Sequence, residues 1–374
     1  MSTPNQPTPW QMQQSQHHPA PYTYPPEQTG QVPAPYPAPQ VPVQVPPPGW
    51  RPGYVAQTQE LGYHRLALAD PKNRWFTPLL EALIGVPIYL VISVVLSVAL
   101  LVPSLMRSLN EQAASGQLTI DATATANEVA TQLQAAALED PLIFVLFFGS
   151  VALMFPCLWL ARLIVGPKPW GLVHSVAGRM RWGWLGICTL IATLMFVAVP
   201  LIMGALAGEP FFTSGATASG WTLAILLVLV VLLVPFQAYA EELVFRGYLM
   251  QTLGRWLRNP AWAIVLPAPL FMLGHMYDLW AQLSILFMGI AAGFVTWRTG
   301  GLEAAIALHV VNNLLAMGLG IFGAADPFAA QGSTPAMLVS SIVTQGLYVL
   351  VVVLVANRRR LARTRTAQVW VKQR

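Results

Sequence analysis

Apolar positions in this chain come in long runs rather than in the stripes of a soluble helix or the alternation of a half-buried strand. Eight runs are read: Thr77–Met106, Pro141–Val165, Trp184–Leu206, Trp221–Ala240, Ala261–Gly274, Leu279–Trp297, Leu302–Phe322 and Ala336–Ala356. Most reach the ~20 residues that a helix needs to cross a bilayer. The pattern predicts an all-α polytopic membrane bundle of about eight helices. The fifth run is short and holds Pro267 and Pro269, which predicts a kink, because proline removes an amide donor and crowds the preceding turn.

Composition supports this reading. Hydrophobic residues make up 55% of the 374 positions and charged residues 9%, against about 25% charged in a typical soluble domain. The net charge of +5 does not point to nucleic acid. The basic residues sit in short clusters beside apolar runs, as in a membrane protein oriented by charge. Lys72, Arg74, Arg162, Lys168, Arg179, Arg181, Arg246, Arg255, Arg258, Arg298 and the Arg358–Arg365 cluster all fall on one side of an eight-pass arrangement. The opposite side carries Arg107 with Glu111, Asp121, Glu128, Glu139, Asp140, Glu209 and Asp326. The positive-inside rule then places both termini in the cytoplasm of a multi-pass cell-membrane protein. Cys157 and Cys188 lie inside apolar runs, which disfavours a disulfide framework.

Three domains are expected. Residues 1–61 read as a disordered, Pro/Gln/Tyr-rich cytoplasmic tail, because closely spaced prolines oppose both helix and sheet. Such a tail is also a candidate docking strip for a proline- or tyrosine-reading partner. Residues 62–357 form the membrane bundle, and 358–374 a basic cytoplasmic tail.

Ionisable groups inside a bilayer are costly and mark function. Of six histidines, only His275 and His309 lie in apolar runs. The carboxylate pair Glu241-Glu242 lies in VPFQAYAEELVFRGYLM. Glu242 and Arg246 are four apart and share a helix face, so they are expected to pair. Glu241, turned about 100° away, is left free to face a polar cavity. Asn313 is one turn beyond His309, and Phe271 one turn before His275. A glutamate and histidine that activate water, with a histidine–asparagine pair to hold an oxyanion, are the parts of a peptide hydrolase. Other protease patterns fit less well. HExxH is absent, Tyr277-Asp278 has no GxGD partner, and no serine pattern of the rhomboid type stands out. A silent scaffold or immunity protein and an ion-coupled transporter remain as alternatives. The transporter is disfavoured by the lack of a repeat of the EExxxR segment.

Glu241-Glu242-x-x-x-Arg246, Phe271-x-x-x-His275 and His309-x-x-x-Asn313 resemble, in order, the three motifs of the CPBP (CAAX protease and bacteriocin-processing, or Abi) family of intramembrane glutamate endopeptidases. The resemblance covers about 221–322. It implies that Glu241 acts as general base with His275, and that His309 and Asn313 stabilise the oxyanion. Glu242 and Arg246 then support the site, and Phe271 packs beside it. It implies peptide or membrane-protein substrates and no cofactor, although two histidines, a glutamate and an asparagine are also residue types that hold zinc. Cleavage is expected near the cytoplasmic leaflet, because Glu241 falls near the cytoplasmic end of the fourth run. His275 falls near the far end of the fifth, so a meeting of the two requires that run to be short, kinked or started deeper.

Overall fold

The computed structural model describes residues 53–373, except 71, 115–128, 130, 166–169, 209–215, 217, 276, 325–326 and 329–331. The proline-rich tail up to residue 52 and residues 115–128 and 130 of the 107–140 connection lie outside the described residues. Seven described helices are long and apolar enough to cross a membrane, and the chain is a multi-pass membrane protein.

The chain enters through strand β1 (Tyr54–Gly62) and a 3-10 turn (Tyr63–Ala69). Helix α1 spans Thr77–Ala114. Helices α2 (Pro141–Ala152) and α3 (Met154–Val165) make one pass, broken at Leu153. A single turn, α4 (Gly171–His174), leads to α5 (Trp182–Ala207). Helix α6 (Gly220–Glu242) continues through a π-helical stretch (Leu243–Leu249) into α7 (Met250–Trp256). The short helices α8 (Pro260–Val265) and α9 (Pro267–Leu273) follow. Helices α10 (Leu279–Thr299), α11 (Glu303–Ile321) and α12 (Pro335–Arg358) complete the bundle, and strand β2 (Thr364–Lys372) ends it.

Strands β1 and β2 form an antiparallel ladder with Tyr54 opposite Lys372 and Gly62 opposite Thr364. The expected tail boundaries at 61 and 358 therefore cut through ordered segments: 54–61 and 364–372 are paired strands. Backbone groups near a membrane surface are satisfied best by mutual pairing, and these two segments supply each other's partners. The ladder also brings the two ends of the bundle to one face, which requires an even number of passes.

The fifth apolar run is shorter than the seven long spans and is built differently from them. Helices α8 and α9 together with Leu266 cover only 14 residues, or roughly 21 Å at 1.5 Å per residue. A bilayer core is ~30 Å thick. Beyond Leu273 the chain leaves the helix, and Gly274, His275, Tyr277 and Asp278 lead to the start of α10. Unwound backbone at membrane depth is tolerated where it lines a cavity. Gly274, His275 and Tyr277 do line one, and the His275 carbonyl accepts a hydrogen bond from Gln282.

Close helix approach fixes this pass. A Cβ on Gly289 of α10 would come within 2.9 Å of Ala268 Cβ, and one on Gly293 within 3.2 Å of Ile264. Small residues let helix backbones meet in lipid, where no hydrophobic drive exists between helices. At the ladder face, buried Glu303 at the start of α11 accepts two hydrogen bonds from the Arg181 guanidinium, at 2.8 and 2.6 Å. At the opposite face, Asp278 caps α10 and accepts from the Ser333 amide at 2.8 Å, tying α10 to the start of α12.

Candidate active site

The six polar residues that stand out in the sequence come from three separate stretches: the end of α6 and its π-turn, the unwound end of α9, and the middle of α11. Helix α6 runs on past Ala240 in one continuous helical span to Trp256. Glu241 therefore lies 15 residues before the end of that span, roughly 22 Å from it. The helix thus continues well beyond Glu241, which is buried within the bundle at 6% exposure.

The π-turn follows directly on Glu242. Its wider winding offsets the helix face one residue beyond the glutamates, a device common at functional sites. Arg246 Nη1 donates to Glu242 Oε1 at 2.8 Å, as the four-residue spacing predicts. Arg246 Nη2 donates to the Gly289 carbonyl at 3.3 Å. The guanidinium also lies 4.3 Å from the centre of the Phe271 ring, a cation–π contact. Both members of this pair are almost fully buried, at 2% and 0% exposure. A lone buried charge is strongly unfavourable, so each holds the other in place.

His309 lies between the two glutamates. Its Nδ1 is 2.9 Å from Glu242 Oε1 and its Nε2 is 3.3 Å from Glu241 Oε2. Carboxylate oxygens only accept, so both histidine contacts are hydrogen bonds when both ring nitrogens carry hydrogen, while Glu242 Oε2 is buried without a partner among the described residues. Two glutamates, one arginine and one imidazolium then sum to zero charge. The sequence reading paired His309 with Asn313 alone. The structure gives it a second task, clamping both carboxylates.

His275 is oriented by its own backbone. Its Nδ1 lies 2.9 Å from the Phe271 carbonyl, which only accepts, so Nδ1 carries the hydrogen. In the neutral ring Nε2 is then the unprotonated nitrogen, able to accept a proton. Phe271 is the hub of the site. Its ring centre lies 4.9 Å from that of His275, 5.6 Å from that of His309 and 5.1 Å from that of Phe245.

Gln237, one turn before Glu241, escaped the sequence reading. Its Nε2 donates to Glu241 Oε2 at 2.7 Å, and its Oε1 accepts from Asn313 Nδ2 at 3.2 Å. Asn313 Oδ1 in turn accepts from Asn312 Nδ2 at 2.9 Å. The result is a one-directional relay from Asn312 through Asn313 and Gln237 to Glu241. One hydrogen of the Asn313 amide remains for another acceptor. The two contacts on Glu241 both fall on Oε2, leaving Oε1 for the cavity.

A cavity of about 610 Å³ collects these groups. Glu241, His275, His309, Asn313, Gln237 and Asn312 all line it, with Ser97, Leu100 and Leu101 of α1 and Phe147 and Phe148 of α2 on its walls. Among the described residues, no group of three or more His, Cys, Asp or Glu side chains is placed to hold a metal ion.

Comparison with known proteins agrees with the motif reading. Residues 219–315 match a family model described as Rce1-like, type II CAAX prenyl endopeptidase Rce1-like. That interval contains all seven motif positions from Glu241 to Asn313. The YyaK protein of Bacillus subtilis (strain 168), itself described as uncharacterized, is 31% identical over 193 residues. The alignment covers 49% of this chain and 63% of YyaK, so the chain spans somewhat less than two thirds of that relative. No solved structure matches the chain.

Proposed function

We propose that this chain, whose residues 219–315 are similar to the Rce1-like endopeptidase family, is an intramembrane glutamate-type endopeptidase. The observation that carries the reading is the convergence of Glu241, His275, His309 and Asn313 on one cavity from three separated stretches of chain.

In this reading Glu241 Oε1 and His275 Nε2 flank the attacking water. The pair takes a proton from the water, and the hydroxide attacks the scissile carbonyl carbon. The negative charge that develops on the carbonyl oxygen is met by the free Asn313 amide hydrogen and by His309 Nε2–H, whose 3.3 Å contact to Glu241 is the looser of its two. Donors preset toward such an oxygen are commonly worth ~10²–10³ in rate. As the C–N bond breaks, the proton held by the Glu241–His275 pair passes to the leaving amine. Glu242, Arg246 and Phe271 hold the groups in register. The mechanism routes no step through a metal, and retained activity in the presence of a chelator is the expected result.

The substrate is a peptide or membrane-protein segment. The ladder face, which carries Arg358, Arg359, Arg360, Arg363 and Arg365 beside β2, is the cytoplasmic one by the positive-inside rule. The test is cleavage by purified wild type and by Glu241→Ala, with substrates trapped on Glu241→Gln. Equal cleavage by wild type and Glu241→Ala would sink the hydrolase reading. An unchanged cellular phenotype for Glu241→Ala and His275→Ala would favour the silent scaffold instead. Ion flux in proteoliposomes, abolished by Glu241→Gln, would favour the transporter.

A further inference from the structure

Two arginines on the ladder face meet with no anion between them. Arg298 lies in the last turn of α10, and Arg363 lies in the connection between α12 and β2. Arg298 Nη2 donates to Asn357 Oδ1 at 3.2 Å, and Arg363 Nη2 donates to the same oxygen. A single neutral amide oxygen thus serves two positive groups, which repel each other. Arg298 Nη1 is buried and has no hydrogen-bond partner among the described residues. The nearby carboxylates are engaged elsewhere. Glu303 is held by Arg181, and Glu60 of β1 accepts from the Thr364 hydroxyl at 2.8 Å. Among the described residues, neither Arg298 nor Arg363 forms an ion pair.

The chain folds back to bring the two together. The Leu361 amide donates to the Ala356 carbonyl at 3.0 Å, and Arg360 takes a left-handed φ of 49°. Glycine ordinarily fills that place at the end of a helix. The turn returns Arg363 to Asn357, six residues earlier in the chain. The connection is then wedged against the end of α10. A Cβ on Gly300 would lie 2.8 Å from the Ala362 carbonyl oxygen and 2.9 Å from Arg363 Cα. Arg181 Nη1 donates to the Thr299 carbonyl at 3.0 Å and to the Ala362 carbonyl at 3.4 Å, tying the same two segments. Helix C-termini favour cations, but that field gives Arg298 Nη1 no acceptor.

The surroundings say which anion fits. Arg298 is one residue from the end of a spanning helix and next to partly buried Trp297, at the depth where Arg and Trp anchor a bundle in its bilayer. On α12, Leu354 and Leu350 precede Asn357 by three and seven residues and share its face. Both are exposed, at 49% and 53%. A guanidinium fork matches phosphate oxygens, and basic sites at the cytoplasmic surface of membrane bundles meet anionic headgroups. We infer that Arg298 and Arg363 bind the phosphate of one anionic phospholipid, whose acyl chains lie along Leu350 and Leu354. The phosphate supplies the acceptor that Arg298 Nη1 lacks and the negative charge that Asn357 does not. The inference is independent of the hydrolase reading, because lipid binding is measured without cleavage.

The test titrates the full chain in detergent micelles with dioleoyl phosphatidylglycerol, dioleoyl phosphatidylcholine or sodium phosphate, and reads bound mass by native mass spectrometry. One phosphatidylglycerol per chain is expected to bind about tenfold more tightly than phosphatidylcholine, whose ammonium group the arginines repel. Excess sodium phosphate is expected not to displace it, because the free anion lacks the acyl chains. Arg298→Gln and Arg363→Gln are each expected to abolish the preference. Arg363 lies outside the helices, so its variant carries the measurement if Arg298→Gln does not accumulate.

A built site is told from general attraction to a basic cluster by the double variant Arg358→Gln/Arg359→Gln. It removes two charges from exposed neighbours of Asn357 and is expected to leave the preference intact. Equal binding of the two lipids by wild type overturns the inference. So does a loss in the Arg358→Gln/Arg359→Gln protein as large as that in Arg363→Gln, which would make the attraction a property of the whole cluster. Displacement of phosphatidylglycerol by sodium phosphate would make the ligand a free anion and overturn its assignment as a lipid.

Discussion

Gln237 shows how a single neutral side chain sets the geometry of charged ones. It holds Oε2 of Glu241 and the amide of Asn313 at once. Gln237→Leu keeps the apolar volume but removes both bonds. We expect turnover to fall about ten- to a hundredfold, as misplacement of reacting groups does, with the melting temperature in detergent little changed. Unaltered turnover on a trapped substrate would deny the residue this role. Arg246 belongs to stability instead. Arg246→Ala strands Glu242 in the interior and is expected to cost about 3–5 kcal/mol. The double variant Glu242→Gln/Arg246→Met removes both charges and is expected to melt higher than Arg246→Ala alone. The motif residues were legible in the sequence because burying charge in lipid is costly enough to need a reason. Gln237 and Asn312 were not, because a neutral amide carries no such cost, and the bond that ties Gln237 to Asn313 runs between helices. The clamp of His309 on both glutamates was hidden for the same reason: periodicity relates residues on one helix and says nothing of the angle at which α11 meets α6.

Among the elements, the fifth pass departs most from a regular span. Pro267 and Pro269 announced its kink, and its short run announced that helix alone does not finish the crossing. The sequence did not show that Gly274, His275 and Tyr277 leave the helix to line a cavity, because that cavity is built by other helices. Gly289 is the point of closest approach to α9. Gly289→Val is expected to cost about 1–3 kcal/mol by overpacking. It should also displace the Gly289 carbonyl from Arg246, lowering both melting temperature and activity. A variant as stable and active as wild type would contradict the packing described. The turns under the ladder make a second element-scale prediction. Burial lowers the pKa of His64 and of His174 from 6.5. The backbone carbonyl of Arg258 partly offsets this for His64, and the Glu303 charge partly offsets it for His174. The unfolded chain thus binds more protons than the folded one just below pH 6.5. Stability is then full above that value and falls as the pH drops toward the lowered values. Melting temperatures between pH 7 and pH 5 should decline, and less so in the double variant His64→Gln/His174→Gln.

At the scale of the whole molecule, the β1–β2 ladder joins the two ends of the described bundle on one face. The helical, many-span class was readable because a bilayer demands long apolar runs. The ladder was not, because its strands lie about 310 positions apart in sequence and one of them sits inside a basic cluster that dominates the composition there. The central claim is that Glu241 activates water for peptide-bond cleavage inside this bundle. The most direct test reconstitutes wild type and Glu241→Gln in parallel. Both are incubated with the membrane-protein segments that co-purify with the variant, with and without chelator, and new peptide termini are read by mass spectrometry. The account predicts new termini with wild type in both conditions and at least a thousandfold fewer with Glu241→Gln. Equal yields from the two proteins would contradict it.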